Sequence, residues 1–159
     1  MGMQLASTEI EARTTEVVEA LKGLEGPLLP ILHGIQEEFG YVPAESLPVI
    51  ASALNLSRAE VYGVVSFYHD YRGHPAGRHV LKLCRAEACQ SVGAEAIADR
   101  VTQLLGIGFH ETAKDGSVTL EPVYCLGLCA CAPSAMLDGK VIGQLDAGKI
   151  DDIVEAVRA

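Results

Sequence analysis

Four cysteines of this chain fall into two widely spaced pairs. Cys84 and Cys89 enclose four residues, Cys125 and Cys129 enclose three, and 35 residues separate the pairs. Thiolates are soft ligands, and four of them satisfy either a tetrahedral zinc ion or an iron–sulfur cluster. Structural zinc more often uses tight knuckles with two residues between the cysteines. A 2Fe-2S cluster takes two thiolates to each iron, and longer loops leave room for bridging sulfides and amide donors. The spacing therefore favours Cys84, Cys89, Cys125 and Cys129 as ligands of one 2Fe-2S cluster, with zinc as the alternative. Dithiol redox chemistry is disfavoured, because Cys-x-x-Cys is absent.

The residues between the cysteines suit a negatively charged centre, to which reduction adds a further electron. Arg85-Ala86-Glu87-Ala88 can turn N–H groups toward it, and Gly127 in Cys125-Leu126-Gly127-Leu128-Cys129 lets the backbone come close. Arg85 and a helix N-terminus after Cys89 would offset the charge. Leu126, Leu128, Ala130 and Ala132 would keep part of the site dry. Cys131 reads as a spare thiol, since a free cysteine is usually a small apolar residue.

The whole chain sets limits on these readings. Its 159 residues can bury roughly 70% of the unfolded surface, enough for a packed core without disulfides. Five cysteines, an odd number, agree with reduced thiols and a cytoplasmic location. A net charge of −9 would repel phosphate backbones and anionic membranes, so no nucleic-acid partner is expected. No apolar run approaches the ~20 residues of a membrane span, and Met1 to Ile10 lacks the pattern of a secretory signal. Neither a phosphate-binding glycine loop nor a nucleophile–base set occurs, and no catalytic residue is expected.

Two kinds of periodicity divide the chain. Up to about Tyr71 the pattern is helical. Ile10, Val17, Val18, Leu21 and Leu24 recur on one face behind a Thr8/Glu11 capping-box spacing, and Leu28 to Phe39 forms a second stripe ending at Gly40. Leu47, Ile50 and Leu54 mark a third helix. Ser57 and Glu60 cap a fourth, with Val61, Val64, Val65 and Tyr68 inward. Turn formers from Arg72 to Gly77 then suggest a linker.

After the linker the sequence alternates between strand and helix. Strands are expected at His79–Leu83 and Val118–Tyr124, with a helix from Ser91 to Leu105 facing Val92, Ile97, Val101 and Leu104 inward. A hairpin turns at Asp138-Gly139, and a last helix starts at Ala147. The expected architecture is α/β: an N-terminal helical bundle over 1–76 and a thioredoxin-like layer structure over 77–159. Each cysteine pair follows a strand, and loops leaving the carboxyl ends of neighbouring strands converge at one sheet edge.

Pro30-Ile31-Leu32, Gly40-Tyr41-Val42-Pro43, Val65-Ser66-Phe67-Tyr68, the Cys125–Cys129 loop and Ala132-Pro133 occur in an order that resembles a known family. It is that of the small thioredoxin-like 2Fe-2S subunit of NADH:quinone oxidoreductase. Within it, the stretch from Cys84 to Ala94 is most similar to the gamma subunits of soluble NAD-dependent formate dehydrogenases. The resemblance implies an electron-transfer role beside a flavoprotein subunit that binds FMN and NAD and carries its own 4Fe-4S cluster. It further implies a molybdenum-containing subunit that oxidises formate. Equivalent subunits of quinone reductases and NAD-linked hydrogenases are the nearest alternatives, and a zinc-stabilised assembly module is the alternative from a different class.

Other side chains are read more plainly. His69, His74 and His79 do not share a helical ligand face, and a solvated or interface role is expected. Tyr62, Phe67, Tyr68 and Tyr71 concentrate aromatic surface, with burial favoured over an interface. Asp151 and Asp152 are taken as complements to the dipole of the last helix.

Overall fold

The computed structural model describes residues 6–158. The part of the Met1 to Ile10 reading that precedes residue 6 lies outside them. The chain divides into two compact units between Pro75 and Ala76.

The first unit holds four helices, α1 (Ser7–Leu21), α2 (Leu28–Phe39), α3 (Ser46–Leu54) and α4 (Arg58–Phe67). Their apolar stripes meet in one core that includes Val18, Ile31, Leu32, Ile35, Ile50 and Val61. Gly40, at φ +78°, ends α2 in the left-handed conformation that glycine adopts without strain. The Ser57/Glu60 capping box at α4 forms as the sequence suggests. The Thr8/Glu11 box does not: Thr8 already lies inside α1, whose cap residue Ala6 has no side-chain acceptor to offer.

Past α4 the chain is tied back to α2 through one side chain. The Gln36 amide donates to the Asp70 carbonyl at 2.7 Å and accepts from the Arg72 N–H at 2.8 Å. This seats Tyr71 in the core, where its hydroxyl reaches the Leu29 carbonyl. Burial of the aromatic run holds for Tyr71 alone, because Tyr62, Phe67 and Tyr68 are exposed.

The second unit is built on a five-stranded sheet. Its strands are β1 (His79–Cys84), β2 (Glu111–Thr112), β3 (Val118–Val123), β4 (Ala135–Leu137) and β5 (Lys140–Ile142), in the order β2-β3-β1-β4-β5. β1 and β3 are parallel, paired from His79 opposite Val118 to Cys84 opposite Val123. The connection between them carries α5 (Glu87–Gln90) and α6 (Ala94–Leu105), and α7 (Ala147–Arg158) follows β5. Leu81, Leu83, Val118 and Leu120 form the core with Ala98 and Val101 of α6 and Ile150 and Val154 of α7. The architecture is thus the α/β, thioredoxin-like one expected.

Three details differ from the sequence reading. The expected helix from Ser91 begins only at Ala94, as α6; a separate short helix, α5, precedes it and holds Cys89, and Val92 falls in the exposed turn between the two. The two-residue β2 is too short to show a periodicity. Asp151 pairs with Arg100 at 2.6 Å instead of serving the start of α7, which lies a turn earlier.

The Asp138-Gly139 turn forms with both residues at positive φ, +48° and +83°, as a two-residue type I′ hairpin requires. The Asp138 carboxylate accepts from the Val80 N–H at 2.8 Å and bonds the His79 Nδ1 at 2.7 Å, tying the hairpin to β1. Partial burial pulls the Asp138 acid upward, but the bonds from His79 and Val80 outweigh it and hold the carboxyl below its usual value. Its stabilising share is therefore present above the ordinary aspartate pKa of about 3.9 and is lost as pH falls through the lowered value. Asp138→Asn keeps an acceptor and tolerates the left-handed backbone. It is expected to narrow the difference in urea midpoint between pH 7 and pH 3. An unchanged difference would contradict this role for the carboxylate.

Candidate metal centre

β1 and β3 deliver the two cysteine pairs to one end of the sheet. Cys84 is the last residue of β1, and Cys125 lies two residues beyond Val123, which pairs with Cys84 and ends β3. Cys89 sits in α5, and Cys129 opens a 3-10 turn running to Cys131. The first pair is buried, Cys84 at 3% and Cys89 at 1% exposure, whereas Cys125 and Cys129 are exposed. Cys84, Cys89 and Ala94 form a small apolar cluster with Ala86, Val123, Leu126 and Ala132 packed against it. Of the residues expected to keep the site dry, Leu126 and Ala132 do so, Leu128 is half-buried and Ala130 is exposed.

The donors around the sulfurs are main-chain amides for the most part. Gly127 donates its N–H to the Cys125 sulfur at 3.3 Å, with Gly127 at φ +76° and Cys125 itself at φ +128°. That backbone conformation costs an L-residue roughly 1–3 kcal/mol, and here it folds the loop so that an amide faces sulfur. Burial raises the pKa of the Cys84 thiol, but bonds from the Ala86 amide, Cys89, the Leu126 amide and Ser134 more than offset it. The net shift is downward, toward thiolate. The Cys129 thiol is pushed up, chiefly by its hydrogen bond with Cys125 and by charge there, with lesser contributions from burial, Cys89 and Cys84. Thiols that interact in this way resist joint ionisation, and bound cations relieve that resistance.

The Cys125 and Cys129 sulfurs stand 3.8 Å apart. Two thiolates sharing one tetrahedral metal at about 2.3 Å per bond are separated by about the same distance. Among the described residues no group of three or more His, Cys, Asp or Glu side chains is placed to hold one metal ion. Cys125 and Cys129 form one close pair and Cys84 is hydrogen-bonded to Cys89 in the other; a 2Fe-2S cluster takes two thiolates at each iron. The donor chemistry fits a 2Fe-2S cluster: four soft ligands, amides aimed at sulfur and a partly apolar wall.

Arg85 is arranged differently from the sequence expectation. Its Nη2 donates to the Glu95 carboxylate at 2.8 Å and its guanidinium lies 5.1 Å from the centre of the Phe109 ring, while the buried Nε has no partner. Its charge is thus matched by Glu95. The side chain fastens the Cys84–Cys89 loop to α6, helped by the Gln90 amide on the Arg85 carbonyl at 2.7 Å.

Cys131 is exposed beside the site, and its carbonyl accepts from the Gln144 N–H at 2.6 Å. Two neighbours carried no signal in the sequence. Ser134 is buried with its hydroxyl 3.6 Å from the Cys89 sulfur. Gly143 lies where a Cβ would come within 2.9 Å of both the Cβ and the carbonyl oxygen of Cys131. An isolated serine or glycine has no period or spacing by which to be found.

A parallel β1–β3 core flanked by helices, with two cysteine loops at one sheet end, defines a thioredoxin-like iron–sulfur protein. The family model described as thioredoxin-like [2Fe-2S] ferredoxin matches residues 14–158, and the chain belongs to that family. It is 34% identical over 155 residues to a NADH-quinone oxidoreductase subunit of Mycobacterium tuberculosis, covering 98% of this chain and 61% of that protein. The chain therefore spans less than two thirds of the length of that relative. It is 33% identical over 139 residues to the NADP-reducing hydrogenase subunit HndA of Solidesulfovibrio fructosivorans, covering 87% of this chain and 81% of that protein. A crystal structure of NAD+-reducing [NiFe]-hydrogenase in the air-oxidized state superposes with a TM-score of 0.70. At 24% identity it covers 82% of this chain and 22% of that one, a likeness of fold.

Gly143→Ala would displace the turn that carries Cys129 and Cys131. It is expected to lower the iron bound per chain after anaerobic reconstitution, by about half or more. Gly63→Ala, in open space on α4, serves as the control and is expected to load normally. Equal loading of the two variants would show that this close approach does not support the site.

Proposed function

We propose that this chain is an electron-transfer subunit that holds one 2Fe-2S cluster through Cys84, Cys89, Cys125 and Cys129. The observation that carries the reading is the meeting of the two cysteine pairs at the ends of adjacent parallel strands, with amide donors facing sulfur. Membership of the ferredoxin family supports the cluster type. When bound, such a cluster supplies a one-electron couple. The chain's residues hold it, keep water from its buried side through Leu126 and Ala132, and leave Cys125 and Cys129 at the surface.

The names of the relatives point to NAD-linked complexes as the setting. We place the chain beside a flavoprotein subunit that binds FMN and NAD and carries a 4Fe-4S cluster. Hydride exchange with NAD would occur there, and one-electron traffic would pass through this chain. The owner proposed is a soluble NAD-dependent formate dehydrogenase with a molybdenum-containing subunit, on the likeness of Cys84–Ala94 to the gamma subunits of those enzymes. Among the described residues no helix is long and apolar enough to cross a membrane. A cytoplasmic complex is the location proposed.

Two measurements test this. Anaerobically purified chain is expected to be reddish brown and to bleach with dithionite. Cys84→Ser is expected to lose most of the colour and Cys131→Ser to keep it. Colourless protein with stoichiometric zinc and no sulfide would overturn the cluster. For the owner, complexes copurified from the native host are expected to contain molybdenum and to reduce NAD with formate. Quinone reductase or hydrogenase subunits in their place would reassign the chain to those complexes.

A further inference from the structure

We infer that the Ser134 hydroxyl donates a hydrogen bond to the Cys89 thiolate and thereby raises the reduction potential of the bound cluster. The inference rests on the ligand set proposed above. Ser134 lies just before β4 and is 2% exposed. Its carbonyl accepts from the Cys84 N–H at 3.0 Å, which fixes its backbone against the end of β1. Its Oγ stands 3.6 Å from the Cys89 sulfur, itself 1% exposed, and also neighbours the Cys84 sulfur.

Between a thiol and a hydroxyl either group can donate. A thiolate bound to iron has no proton left, so Ser134 becomes the only donor of the pair. Buried away from water, the hydroxyl has sulfur as its acceptor. Donors to cluster sulfur favour the more negative state, and the reduced cluster carries one electron more than the oxidised one. The amides of Gly127, Ala86 and Leu126 belong to the main chain and survive substitution. Ser134 adds to this field through its side chain, and that contribution can be removed by substitution.

The test uses the full chain, reconstituted anaerobically and titrated by potentiometry with absorbance and electron paramagnetic resonance. Ser134→Ala is expected to bind the same iron per chain. At the wild-type midpoint its reduced-to-oxidised ratio should fall about tenfold, about 59 mV toward negative potential for one electron. Ser134→Thr, which keeps the hydroxyl, is expected to stay near wild type. Ser134→Val, the same size as threonine but without the hydroxyl, is expected to follow Ser134→Ala.

An unchanged midpoint in loaded Ser134→Ala, or Thr and Val variants that shift alike, would overturn the inference. So would loss of the cluster from both hydroxyl-free variants with retention in Ser134→Thr, which would make the hydroxyl a requirement for holding iron. A wild-type chain that binds no 2Fe-2S cluster would instead strike the proposed ligand set.

Discussion

The parallel ladder between β1 and β3 governs where all four cysteines lie. Cys84 is part of it, paired opposite Val123, and its N–H is held on the other side by the Ser134 carbonyl. Side chains alternate across a sheet, so a slip of one residue would turn Cys84 to the opposite face and carry it away from Cys125. The register is in turn fixed by burial. Leu81 and Leu83 on β1, with Val118 and Leu120 on β3, enter the core beneath α6 and α7. Lys82 opposite Glu121 adds a charge pair at 3.5 Å. The apolar core and the candidate metal centre thus depend on the same hydrogen bonds.

The two cysteine pairs live in different surroundings, and the difference suits a relay. Cys84 and Cys89 are enclosed by Ala86, Ala94, Leu126 and Ala132, and their loop is fastened by Arg85 to Glu95. Cys125 and Cys129 lie on loop and 3-10 turn, exposed, with strain accepted at Cys125 so that Gly127 can donate. A firmly held buried side and an accessible outer side agree with a carrier of the ferredoxin family.

Much of this was legible in the sequence because it is written in periods and spacings. The helical stripes of α2 to α4, the strands before each cysteine pair and the Asp138-Gly139 turn each combine a period with a turn or cap residue. The misses have physical reasons. Thr8 matches a capping box by spacing alone, yet the cap falls two residues earlier, at Ala6. Val92 fits the apolar stripe of a helix extended from Ser91, but the left-handed Gly93 separates α5 from α6 and leaves it in solvent. Arg85 looks like a counter-charge for the site until Glu95, ten residues on, claims it. Ser134 and Gly143 act through distances between remote segments, which no local pattern encodes.

The central claim is that four named sulfurs enclose two irons. Anomalous diffraction at the iron edge from crystals of the anaerobically prepared chain tests it most directly. Two iron peaks are predicted, one beside the sulfurs of Cys84 and Cys89 and the other beside those of Cys125 and Cys129. A single peak, a signal at the zinc edge only, or a peak bound by Cys131 in place of Cys129 would contradict it.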